Sequence, residues 1–152
     1  MTLAIRHAIA LSIVTISTCV AAQAQAALSP SPSETLSQPR VYAADQPPAN
    51  KSANGTESRS LLRGALPTGE QVAAHESIQP VGAPPVALHP IHHSELIVVR
   101  EGEVMFDHDS TSEKAVPGDV IYVPLGTIHR VRNIGTVPAK YTVIAIGGDV
   151  KK

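Results

Sequence analysis

From Leu61 onward, apolar residues come in short runs separated by Gly, Pro, Asp, Asn and Ser: "EQVAAHESI", "PVALHPI", "SELIVVREG", "EVMFDHD", "DVIYVPLG", "IHRVRN" and "AKYTVIAIGG". Many of these runs alternate apolar with polar, and a break falls about every eight to twelve residues, the rhythm of an all-β sandwich or barrel. No window carries the three-and-four spacing of an amphipathic helix. The pattern predicts an all-β domain over residues 61–152. A domain this small buries a limited share of its surface, so a homodimer that covers an edge strand is a further expectation.

Upstream the pattern disappears. Residues 27–60, "ALSPSPSETLSQPRVYAADQPPANKSANGTESRS", are rich in Pro, Ser, Ala and Asn, with no sustained apolar period. Repeated prolines block helix and sheet propagation, so this stretch is expected to be a disordered linker. Residues 1–26 have a basic start at Arg6, an uncharged run from Ala8 to Val20, and Ala24-Gln25-Ala26 at the end. That is the layout of a cleaved signal peptide. The run is shorter than the ~20 residues of a membrane-spanning helix, so no stable span is expected after cleavage and the protein is expected to be periplasmic or secreted. The single cysteine, Cys19, leaves with the signal, and no disulfide is expected in the mature chain.

Composition removes some function classes. A formal net charge of −1 gives no electrostatic footprint for nucleic acid, and 3% aromatic residues with no tryptophan leave no base-stacking platform. Candidate chemistry lies in two stretches of the β region. "GDVIYVPLGTIHRVRN" reads Gly118, Pro124, Gly126, His129 and Asn133 in a turn–strand–turn–strand frame. "HPIHHSELIVVREG" brings His89, His92, His93 and Glu95 together ahead of Gly102.

These stretches resemble the cupin superfamily. The second cupin motif, G(X)5PXG(X)2H(X)3N, is matched at each specified position from Gly118 to Asn133. The first, G(X)5HXH(X)3,4E(X)6G, is matched in part: His89, Glu95 and Gly102 fit, and Ile91 stands at the second histidine position. The resemblance implies a small jelly-roll β-barrel with a metal or ligand pocket in its mouth. It implies a divalent metal (Fe(II), Mn, Ni or Zn) held by His89, Glu95 and His129. His93, in the turn after Ile91, is the candidate for the missing place if a bulge re-aims it. His92 is the weakest candidate. Two imidazoles and a carboxylate suit a non-haem iron oxygenase or a zinc hydrolase. A dioxygenase-type enzyme is therefore one expectation, an isomerase or lyase another, and a non-catalytic ligand-binding module the alternative.

Alternation places Val86, Ile97, Val99, Val123 and Val131 on the pocket wall, with Ile91 and Tyr122 added as ligand-binding candidates. Such a wall suggests a small aromatic or aliphatic ligand. No catalytic residue is evident beyond the metal ligands, with Tyr122 and His75 the candidates for a base. Arg130 and Arg132 are expected on the outer surface or at a dimer interface, and His108 in solvent at a hairpin end.

Overall fold

The alternating runs become strands. A computed structural model of the chain describes residues 34–148 and 150. In order they are β1 (Asn50–Lys51), β2 (Glu57–Ala65), β3 (Gln71–Gln79), β4 (His89–Pro90), β5 (Ser94–Glu101), β6 (Val104–His108), β7 (Thr111–Ala115), β8 (Val120–Val123), β9 (Ile128–Asn133) and β10 (Ala139–Ile146). They form a six-stranded antiparallel sheet, β1-β2-β3-β10-β5-β8, and a four-stranded one, β4-β9-β6-β7. No helix among the described residues is long and apolar enough to cross a membrane. The expected signal peptide, 1–26, lies outside the described residues.

The core sits between the sheets and follows strand parity. Ile97 and Val99 of β5 face Val143 and Tyr141 of β10, while Val104, Phe106 and Val131 close from the smaller sheet. Burying side chains of this size contributes roughly 1.5–3 kcal/mol each. The motif positions do local work. Asp119 Oδ2 accepts the Val116 N–H at 2.8 Å, and the Gly118 N–H donates to Val99 O at 3.0 Å, fixing the turn into β8. Asn133 ends β9 by donating through Nδ2 to Gln79 O (3.1 Å) and Val137 O (2.9 Å) while its Oδ1 accepts the Gly135 N–H (2.8 Å).

Regular structure begins within the expected linker, where β1 lies. β2 starts at Glu57, inside it, and pairs along its length with β3. Residues Glu34 to Leu36 cross β2, where Thr35 bridges Ala65 and Leu36 covers Gly64. The reason is that β2 is half-buried almost throughout rather than buried on one face. It can therefore be polar, "ESRSLLRGA", and still be held by its ladder.

Arg130 and Arg132 do lie on the outer face of the four-stranded sheet, and there they clamp one buried carboxylate. Arg130 Nε and Arg132 Nε reach Asp107 Oδ2 at 2.7 and 2.8 Å, and Ser112 donates to Oδ1 at 2.7 Å. The Arg132 hydrogen bond, aided by Ser112 and Arg130 against the cost of burial, holds the Asp107 carboxyl far below the usual range. A depressed carboxyl stabilises the fold above the unfolded value, about pH 4, and that contribution fades as pH falls towards the folded value. Asp107→Asn is expected to cost about 1.5–3 kcal/mol at pH 7, the range for hydrogen bonds to charged groups. Urea titrations at pH 7 and pH 3 check this, with the gap to wild type narrower at pH 3.

Candidate functional site

Three histidines stand side by side across the smaller sheet. His89 on β4 and His108 on β6 are the cross-strand partners of His129 on β9. His129 is 3% exposed, and its ring lies 5.0 Å from that of His89 and 5.6 Å from Phe106. Across the interlayer space, Glu95 is the first inward residue of β5 and is also buried. The turn between β4 and β5 does re-aim His93. Its Nε2 lies 2.9 Å from Glu95 Oε1, and His129 Nε2 lies 3.5 Å from Oε2. One carboxylate is thus spanned by two imidazoles from different elements. Burial raises the Glu95 pKa, but hydrogen bonds and charge from His129 and His93 outweigh it and hold the group below its ordinary value. Ile91, at the vacant ligand position, is 5% exposed and packs in the core. His92 is exposed.

The donor chemistry suits a divalent metal: imidazole nitrogens and a carboxylate, with the buried His129 Nδ1 lacking any hydrogen-bond partner. The arrangement is not a closed cradle. Among the described residues no three His, Cys, Asp or Glu side chains are grouped to hold an ion. His89 is exposed and turns Nδ1 towards Ala87 O at 3.3 Å, which leaves its Nε2 as the bare nitrogen if Nδ1 donates.

His89, Glu95 and His129 line a cavity of about 440 Å³ between the sheets, with Asn50, Thr56, Ser58 and Val86 also on its wall. Ile97 and Val131 line it, as expected. Val99 is 1% exposed and belongs to the core, with no surface on the cavity. Val123 is likewise fully buried. Tyr122 is placed elsewhere: parity turns it outward from β8, 62% exposed, against a second hollow of about 470 Å³ between the free edges of β7 and β8. It cannot act as a base in the mouth. His75 does line the mouth, and burial pushes its imidazole down, opposed by the charge of Glu95. His108 is not simply solvated: its Nε2 meets Glu113 Oε1 at 2.8 Å and its ring stacks on Phe106 at 4.6 Å.

The match to known proteins now adds to this geometry. A family model described as "Cupin domain" matches residues 74–145. The chain belongs to the cupin family. An uncharacterised protein of Methanocaldococcus jannaschii is 31% identical to this cupin over 87 residues, spanning 57% of this chain and 70% of the other. Two similar solved structures share the barrel. A predicted oxalate decarboxylase from Thermotoga maritima is 18% identical, covers 70% of this chain and 98% of its own, and has a TM-score of 0.60. A sugar phosphate isomerase of the cupin superfamily from Silicibacter pomeroyi is 22% identical, with 70% and 74% covered and a TM-score of 0.58. At such identities they speak for the fold alone.

Sequence reasoning named His75 but passed over the residues beside it on the cavity wall. His75, Ser77 and Gln79 share one face of β3 and, with Tyr141 of β10 and Thr56, make it more polar than the expected aliphatic lining. The clue was present: three polar residues at every second position of one strand.

Proposed function

We propose that this cupin is a small-molecule enzyme working with a divalent metal held by His93, Glu95 and His129, with His89 at the open side. The observation that carries the reading is the Glu95 carboxylate, buried in the mouth with a histidine Nε2 on each oxygen. Mixed imidazole and carboxylate donors suit Fe(II), Mn, Ni or Zn. A bound metal would supply Lewis-acid or redox chemistry, with oxygenase activity the first expectation and isomerase or lyase activity the second. The names of the Thermotoga and Silicibacter structures lie within that range. The chain's own residues contribute a cavity in the barrel mouth and an ionised carboxylate. Export to the periplasm or beyond, with 1–26 as the leader, and a homodimer are part of the same proposal.

The test is the metal content of residues 27–152 purified without a metal-binding tag and reconstituted in turn with Fe(II), Mn(II), Ni(II) and Zn(II). About one equivalent surviving gel filtration is expected, dropping in His93→Ala, followed by oxygen-uptake assays. No retained metal with any of the four overturns the reading. One observation favours a second reading, a metal-free binding module: His93 and Glu95 already satisfy each other, and Ile91 fills a ligand place with core. Ligand capture without metal would then be the result.

A further inference from the structure

The wall opposite the histidines has its own hydrogen-bond arithmetic. Gln79 is 6% exposed and fully used. Its Nε2 donates to Val131 O and to Tyr141 Oη, both at 3.0 Å, and its Oε1 accepts the Asn133 N–H at 2.8 Å. That network fixes which way the amide faces, so Tyr141 Oη is an acceptor from Gln79. Ser77 is the cross-strand partner of Tyr141 and lines the same wall. A phenol that accepts from Gln79 still carries its own hydrogen, and that hydrogen is left to donate. Ser77, Gln79 and Tyr141 all line the mouth cavity, and Ser77 and Tyr141 are each 6% exposed.

Two further polar atoms point to the same place. Among the described residues, the buried side-chain nitrogen and oxygen atoms without a partner are Thr56 Oγ1 and His129 Nδ1. Both residues line this cavity. Buried polar groups are costly to leave unpaired, and native proteins keep few of them. Both atoms are shut off from solvent, so they mark the polar character of the wall rather than open bonding sites. Burial, with the charge of Glu95 adding to it, pushes the Tyr141 phenol up to about 12, so it remains a hydrogen donor at any working pH.

We propose that Tyr141, backed by Ser77 and oriented by Gln79, is a substrate-positioning residue of the mouth cavity, and that the substrate is a small oxygen-rich molecule whose carbonyl, carboxylate or hydroxyl oxygen accepts the spare hydrogen. This rests on the mouth being the functional site and replaces the aromatic or aliphatic ligand suggested by the sequence. A hydrocarbon there would leave the Tyr141 hydrogen without an acceptor.

The experiment titrates the mature chain, metal-free and Mn(II)-reconstituted, with pyruvate, glycolate and glycerol, and with toluene as the apolar comparator. Binding is followed by calorimetry and by the near-ultraviolet difference spectrum of tyrosine. At least one oxygenated probe is expected to bind more tightly than toluene and to perturb a tyrosine band. In Tyr141→Phe that band should vanish and affinity fall on the order of tenfold or more, as for loss of one hydrogen bond to a charged acceptor. Ser77→Ala, which leaves the phenol in place, should weaken binding and keep a tyrosine band. Binding that is equal with and without Mn(II) but lost in Tyr141→Phe would uphold this inference independently of the metal reading. Metal-dependent binding unaffected by Tyr141→Phe would overturn this inference alone. Preference for toluene, or no binding by any oxygenated probe, would also overturn it.

Discussion

Gly102→Ala is expected to lower the melting temperature by at least about 10 °C. Gly102 turns β5 into β6 with φ at +74°, a conformation that costs a residue with a side chain roughly 1–2 kcal/mol. Space is a second obstacle. A Cβ there would lie 2.8 Å from both Ala139 Cα and Pro138 O, backbone atoms that cannot swing aside. Overpacking of this kind adds about 1–3 kcal/mol, and in a domain near this size each kcal/mol moves the midpoint by roughly 4–8 °C. Thermal unfolding followed by circular dichroism decides it. A drop of only a degree or two would mean that the entry to β10 yields easily.

Glu95→Gln is expected to remove metal from the reconstituted protein altogether while leaving the barrel folded. The amide keeps the shape of the side chain but has no charge and only one acceptor oxygen for the two histidines that now share the carboxylate. Full metal retention in Glu95→Gln would show that the histidines alone hold the ion. Changes behind a ligand commonly cost 10–100-fold in affinity, and replacing the ligand itself should cost more. Elemental analysis after dialysis reads the outcome, and an unchanged melting temperature separates site loss from unfolding.

Much of the barrel was legible because its motif residues have obligatory local tasks. Gly118, Asp119 and Asn133 set turns through contacts with near neighbours, so their spacing alone announces the β8–β9 unit. His129 and Glu95 were legible through the cupin motifs they match. His93 was legible only as one possibility, because alternation stops at a turn and only the three-dimensional path of residues 91–94 brings its ring back. Tyr122 is a different case. It neighbours Val123 on one strand, the two cannot both face inward, and parity already separated them. β2 left no trace in the pattern because a half-buried strand held by its ladder has no need of an apolar face. The polar cavity wall was hidden for a related reason: Tyr141 sits among buried apolar residues on β10, and only its pairing with β3 reveals the hydroxyl cluster.

The bonds between Gln79 and Asn133 also bear on how the molecule comes apart. They run from β3 of one sheet to the end of β9 in the other, and the same glutamine amide reaches Tyr141. The layers therefore cannot separate at this corner without dismantling the mouth wall. Loss of the cavity and loss of the sandwich should be one cooperative event, with no loosened state that keeps the pocket. The Asn133 amide proton is the natural witness: its exchange with solvent deuterium should need global unfolding, while the fringes of the barrel exchange through small local openings.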